Sequence, residues 1–168
     1  MLENFIIISS IGAVLICISW LSMYEILGIV WRILPRLSVN PRLCVMLIGI
    51  PIFLAHIISI WLYALIYFLI ENYTSLGAII GHDRVTGINI ESFFDCLYFS
   101  AATYSSLGLG DLYPTRHLRM LVGAEVLNGL VMIGWTISFT YLTMEKFWLQ
   151  PKISHMKNST ATKGENEQ

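Results

Sequence analysis

Apolar residues dominate three long stretches of this chain, and polar or turn-forming residues separate them. The stretches occupy residues 1–31, 43–70 and 116–145. Each exceeds the roughly 20 apolar residues that a helix needs to cross a bilayer. The pattern predicts three membrane-spanning helices. Because the first stretch is long and no basic segment precedes it, we expect it to remain in the mature protein and not to be a signal peptide.

Composition supports a membrane protein, since 56% of the 168 residues are hydrophobic and only 12% are charged. The three cysteines, Cys17, Cys44 and Cys96, fall within apolar stretches and lack metal-ligand spacing. We interpret them as reduced packing residues. No motif supplies Ser105 or Ser106 with a histidine and an acid, and no phosphate-binding glycine loop occurs, so we expect no enzyme and no cofactor. We also expect no nucleic-acid partner.

Basic residues indicate which ends of the helices face the cytoplasm. The short segment 32–42 contains Arg32, Arg36 and Arg42 without an acidic residue, and the polar segment 146–168 contains four lysines. Cytoplasmic loops of membrane proteins carry an excess of Lys and Arg. We therefore predict a multi-pass protein of the cell (inner) membrane, with its N-terminus outside, its C-terminal tail in the cytoplasm and residues 71–117 facing outward.

A shorter apolar segment lies between the second and third stretches. Residues 71–91 are polar and turn-rich, as in an exposed outer loop, whereas residues 92–104 are too few to cross the membrane. Ser92 suits the N-cap of a short helix, and Asp95 places negative charge in its first turn. The pattern predicts a re-entrant helix followed by a loop. Such a loop is tolerated at membrane depth only inside protein or beside a water-filled cavity.

The loop that follows reads Ser-Ser-Leu-Gly-Leu-Gly-Asp over residues 105–111, here called the filter segment. Carbonyls that line a narrow axis require backbone angles that residues with a Cβ adopt only at a cost, and glycine avoids that cost. In potassium channels, four such loops replace the hydration shell of the ion with backbone carbonyls. We interpret the segment as an ion-selectivity filter. The expected ion-binding residues are Ser105, Ser106, Leu107, Gly108, Leu109, Gly110 and Asp111, with K⁺ at the second to fifth of these.

Residues 43–145 resemble the two-helix-plus-pore-loop module of the potassium-channel family, including the Asp-Leu-Tyr-Pro run that starts at Asp111. The resemblance covers about 60% of the chain and leaves the helix of residues 1–31 outside it. It implies an all-α membrane protein with three transmembrane helices, a re-entrant pore helix and a filter loop. It also implies a fourfold homotetramer in the lipid bilayer that conducts K⁺ passively.

The chain departs from the family pattern around the filter. Leu107 and Leu109 replace the usual Val and Tyr, and Ala102 stands where some bacterial channels place a bracing glutamate. By resemblance, the residues that support the filter are Tyr98, Phe99, Thr103, Tyr104 and Glu125. The residues expected in the cavity or at a hinge are Asn128, Gly129, Ile133 and Gly134.

Several alternatives remain open from the sequence. Glu125 either braces the filter near Thr103 and Tyr104 or only joins helices by a hydrogen bond. The glycines of the third helix are either hinges or close-packing sites. His56 and Glu25 form either a buried pair or separate contacts. At the level of function, the alternatives to a potassium channel are a weakly selective monovalent cation channel and a non-conducting channel-like subunit.

Overall fold

The computed structural model of the protein describes residues 2–33, 41–82, 84 and 86–148. The elements follow in the order α1 (Leu2–Ile33), α2 (Pro41–Tyr73), β1 (Ile79–Gly81), α3 (Ile90–Tyr104), β2 (Leu112–Pro114) and α4 (Leu118–Trp148). Arg36 of the predicted basic loop and all of the predicted tail beyond residue 148 lie outside the described residues.

Among the described residues, three helices are long and apolar enough to cross a membrane, namely α1, α2 from Met46, and α4 up to Lys146. The predicted all-α membrane fold is therefore confirmed. Each helix extends two or three residues beyond its predicted apolar stretch at one or both ends. Helical hydrogen bonding continues through polar residues at the ends, so hydropathy alone marks the membrane core better than the helix termini.

Helix α3 lies against both α2 and α4. The largest buried cluster joins Tyr63 and Tyr67 of α2, Cys96 and Phe99 of α3, and Leu121 of α4. The Tyr67 and Phe99 rings meet edge to face, with centroids 5.5 Å apart. These contacts hold the short helix inside the bundle, as the sequence pattern predicts for a re-entrant helix.

The start of α3 differs from the prediction. Asn89 is the N-cap, and its Oδ1 accepts a hydrogen bond of 2.7 Å from the backbone N–H of Ser92. Ser92 was the expected cap, and that prediction is wrong, because Ser92 lies in the first turn and is fully buried. Asn and Ser are both strong cap residues, and only the path of the preceding loop decides between them.

Helix α1 lies beside α4 along most of its length. Gly12 lies opposite Leu121, the Trp20 indole reaches Asn128, and the Trp31 ring meets Phe139 at 6.1 Å. The contacts advance in the same direction along both helices, so α1 and α4 are parallel. The N-terminus of α1 is consequently at the same end of the bundle as the start of α4.

A two-stranded antiparallel sheet covers that end. Its register pairs Ile79 with Pro114, Ile80 with Tyr113 and Gly81 with Leu112. Leu112 follows the filter segment directly, so the predicted outer loop is paired with the residues just beyond the filter.

Candidate functional site

The sign of the backbone angle φ alternates along the filter segment. Ser106, Gly108 and Gly110 have positive φ angles of 58°, 55° and 83°, whereas the two leucines between them do not. Alternating left- and right-handed residues turn successive N–H groups to one side. Because the peptide unit is planar and trans, the carbonyls then turn to the opposite side. Such alternation is what a segment needs in order to present a row of carbonyl oxygens along one side.

The two glycines occupy positions where only the backbone angle restricts the residue. A Cβ built on Gly108 or Gly110 meets no atom within 4 Å. The left-handed conformation itself costs an L-residue roughly 1–2 kcal/mol. Ser106 adopts that conformation with a side chain, which indicates that its surroundings impose it.

The inner end of the filter segment closes the C-terminus of α3. The backbone N–H of Leu107 donates to the carbonyl of Ala102 at 2.9 Å, and that of Ser106 donates to the carbonyl of Thr103 at 2.9 Å. The C-terminus of a helix carries partial negative charge. The helix end at this position therefore favours a cation beside the filter segment.

The outer end is held by a pore-helix tyrosine. The Tyr98 hydroxyl donates a 2.7 Å hydrogen bond to the Asp111 carboxylate, and both groups are exposed. This hydrogen bond lowers the pKa of Asp111 below its usual value and raises the pKa of Tyr98 above its usual value. Tyr98 thus supplies the outer end with a hydroxyl that Leu109 lacks.

Glu125 lies fully buried behind α3. One carboxyl oxygen lies 2.6 Å from the Ser100 hydroxyl, and Tyr67 of α2 donates its hydroxyl to the other. The structure thus brings Glu125 to the pore helix about one turn earlier than the sequence suggested. Sequence reasoning missed Ser100 and Tyr67, because a serine and a tyrosine within apolar helices give no signal of which helix faces meet.

Gly129 lies against the C-terminal end of α3. A Cβ at this position would overlap the Tyr104 carbonyl oxygen and would lie 2.9 Å from the carbonyl carbon. Gly129 is therefore a close-packing site, which was one of the two alternatives. Gly134 has no atom within 4 Å of a built Cβ and lies on an exposed face, and Ile133 beside it is half-buried.

Tyr104 is held by a histidine from α2. Its hydroxyl lies 2.9 Å from Nδ1 of His56, whose Nε2 lies 3.3 Å from the Thr136 hydroxyl of α4. Glu25 is exposed on α1 and is not one of the hydrogen-bond partners of His56. The two residues therefore do not form a buried pair, and His56 makes its own contacts with α3 and α4.

Asn128 faces α1, contrary to the cavity position expected from the sequence. Its Oδ1 accepts a 2.9 Å hydrogen bond from the Trp20 indole, and its side chain is buried. The physical reason is that α1, which lies outside the resemblance, covers this face of α4. Another face of α4 remains exposed, and its large apolar side chains are Leu127, Leu130, Val131, Ile137 and Tyr141.

An arginine from the outer loop joins α2 to α3, and the sequence analysis missed it. Two nitrogens of Arg84 donate to the two carboxylate oxygens of Glu71 at 2.7 and 2.6 Å. Arg84 also donates to the carbonyl of Ile79 and lies 3.3 Å from the sulfur of Cys96. The side chains of Arg84 and Glu71 are only 1% and 8% exposed, so this is a buried ion pair.

Comparison with known proteins gives two matches and one negative result. Residues 55–146 match a protein family described as ion channel. The chain is 31% identical over 80 residues to two-pore potassium channel 1 of Arabidopsis thaliana, a stretch that makes up 46% of this chain and 22% of that protein. The match thus spans about a fifth of that relative's length. No solved structure matches.

Proposed function

This chain belongs to the ion-channel family, and on that premise we propose that four copies form a channel selective for K⁺. The ions pass passively through the carbonyl row of the filter segment, with K⁺ held at Ser106, Leu107, Gly108 and Leu109. The alternating backbone hand of this segment is the observation that carries the proposal. One chain contributes one row, and a ring of carbonyls around an ion needs four, so the assembly is a closed fourfold homotetramer in the bilayer.

The exposed apolar surface supports this assembly. Leu107 and Leu109 of the filter segment are 64% and 57% exposed in the single chain. Helix α4 has one face against α1, another against α2 and α3, and a third that remains exposed. In the tetramer this third face lines the axis, and neighbouring copies cover the leucines of the filter segment.

The parallel arrangement of α1 and α4 supports the predicted orientation. Arg32 lies in the last turn of α1, and Lys146 lies near the end of α4, where its ammonium is 4.0 Å from the Trp31 ring centroid. Basic residues at one end favour the cytoplasmic side. The filter mouth then faces outward across the cell membrane. Tags on the N-terminus should be accessible from outside intact cells and tags on the C-terminus should not, and accessibility of both from one side would contradict this orientation.

Selectivity for K⁺ is favoured over weak cation selectivity by two observations. Tyr98 anchors the outer end of the filter segment at Asp111, although Leu109 has no hydroxyl. The matched Arabidopsis protein is named as a potassium channel. The permeant ion is the only ligand that the proposal requires.

Flux through purified protein in liposomes tests the proposal. We expect K⁺ flux well above Na⁺ flux, from particles with the mass of a tetramer. The Gly108→Ala variant should assemble but lose flux, since φ at this position is 55°. The control is Gly87→Ala, which places at least as much backbone strain outside the filter segment, at a φ of 113°, and should conduct.

Each other outcome contradicts a stated part of the proposal. Equal K⁺ and Na⁺ flux would indicate the weakly selective channel. A tetramer without flux would indicate the non-conducting subunit. Normal flux in Gly108→Ala would exclude conduction through the carbonyl row.

A further inference from the structure

Three oxygen–oxygen contacts meet around Ser100 and Glu125, at the junction of α2, α3 and α4. The Ser100 hydroxyl lies 2.9 Å from the carbonyl of Ile60 and 2.6 Å from one oxygen of Glu125. The Tyr67 hydroxyl meets the other oxygen of Glu125. The side chains of Ser100, Glu125 and Tyr67 are all fully buried. Solvent is thus excluded from the three side chains that form these contacts.

Counting protons decides the state of the carboxyl group. A hydrogen bond between two oxygens requires one proton, so three contacts require three. The serine and tyrosine hydroxyls supply one proton each, and the Ile60 carbonyl supplies none. With an ionised Glu125, two hydroxyl protons would have to serve three contacts. Each contact has a proton of its own only if the third proton resides on Glu125.

We propose that Glu125 is a neutral carboxylic acid that donates its proton to Ser100 and thereby positions the pore helix. Ser100 then donates to Ile60, and Tyr67 donates to the free carboxyl oxygen, so every contact has its proton. Both partners of the carboxyl group are hydroxyls and neither is a cation. A buried carboxylate without a cation is costly, whereas a buried neutral acid is a good hydrogen-bond donor.

The neutral state determines how Glu125 acts on the filter. A carboxylate behind α3 would add negative charge near the permeant ion. A neutral acid adds no net charge and acts only by fixing α3 against α2 and α4. Glu125 is thus a positioning residue for the filter segment, and this role rests on the proposed function, whereas its protonation does not.

Infrared spectroscopy tests the protonation directly, with the assembled protein in lipid. The difference spectrum between wild type and Glu125→Gln should contain the carbonyl stretch of a protonated carboxylic acid in the wild type. A carboxylate band in its place would overturn the proposal. This measurement needs no ion flux, so it remains decisive even if the protein does not conduct.

The ratio of K⁺ to Na⁺ permeability tests the positioning role. Glu125→Ala leaves the Tyr67 hydroxyl buried without a partner and removes the donor to Ser100, which keeps only its contact with Ile60, and we expect a fall of about tenfold in the ratio. Glu125→Gln keeps one donor and one acceptor in place and should restore most of the loss. If Glu125→Gln lowers the permeability ratio as much as Glu125→Ala does, Glu125 does not act as a neutral acid.

The chain offers matched controls on both partner helices. Ser100→Ala should lower the permeability ratio, whereas Ser92→Ala should not, because the Ser92 hydroxyl is equally buried on α3 but has no hydrogen-bond partner among the described residues. Tyr67→Phe and Tyr63→Phe form a similar contrast on α2, since both hydroxyls are buried but only that of Tyr67 donates a hydrogen bond to Glu125. Equal effects within either pair, in variants that assemble normally, would refute a specific role for this site.

Discussion

Removing Arg84 should destabilise the protein more than any surface substitution in the outer loop. Its side chain is 1% exposed and pairs through two nitrogens with Glu71, which is 8% exposed. Replacing one partner of a buried ion pair leaves an uncompensated charge, at a cost of about 3–5 kcal/mol. We therefore expect Arg84→Leu to lower the free energy of unfolding by about that amount.

A double-mutant cycle separates the ion pair from the loss of packing. The double variant Arg84→Leu with Glu71→Leu removes both charges, and such replacements are often neutral or stabilising. It should therefore be more stable than Arg84→Leu alone. Arg84→Lys keeps the charge but loses the bidentate geometry. Its free energy of unfolding should therefore lie between those of wild type and Arg84→Leu.

The assay is reversible unfolding of the purified protein in mixed micelles, which gives the free energy of unfolding of each variant. Arg116→Leu is the control, because the Arg116 side chain is exposed and donates a single 3.3 Å hydrogen bond to the carbonyl of Ser75. We expect it to change stability by no more than about 0.5 kcal/mol. A coupling energy between Arg84 and Glu71 below about 1 kcal/mol is typical of solvated pairs and would refute the reasoning.

Four further substitutions test contacts around the filter segment and between α1 and α4. Gly129→Ala should destabilise the protein by about 1–3 kcal/mol in the same unfolding assay, since its Cβ overlaps the end of α3, and an unchanged value would contradict that packing. The Tyr98–Asp111 hydrogen bond lowers the pKa of Asp111, so its contribution is present above the unfolded pKa and is lost as pH falls through the lowered folded value. Tyr98→Phe should therefore shift the Asp111 titration, followed by NMR, to higher pH, and an unshifted titration would exclude the bond. Trp20→Phe removes the donor to Asn128 and should weaken the α1–α4 contact by about 1–3 kcal/mol in the unfolding assay. Trp31 meets α4 through ring contacts with Phe139 and Lys146, so Trp31→Phe should have a smaller effect.

The sequence predicted the three spanning helices because the thickness of the bilayer sets a length that any sufficiently apolar run must meet. It predicted the left-handed positions at Gly108 and Gly110 because glycine adopts them without strain. It could not predict that Ser106 adopts the same left-handed conformation, since serine does not favour positive φ angles. That conformation comes from the alternation around it and from the hydrogen bond of its N–H to the Thr103 carbonyl.

Contacts between helices were harder to predict than the helices themselves. Helix α1 is apolar on all sides, so its sequence does not specify which face meets α4, and the position of Asn128 was missed for that reason. The partners of Glu125 depend on how α2 and α3 cross, which the sequence pattern does not encode. Arg84 lies in a polar loop, where an arginine normally faces solvent, and only the structure places it in a buried pair.

The antiparallel pairing of β1 and β2 has a mechanical consequence for the filter segment. Leu112 is hydrogen-bonded into the sheet opposite Gly81, and it follows Asp111 without any intervening residue. No residue separates the filter segment from β2, so a displacement of β2 acts directly on the outer end of the filter segment. The two-stranded sheet therefore restrains the outer end of the filter segment together with Tyr98, and in the proposed channel a force applied to residues 79–81 would act on the ion path without contacting it.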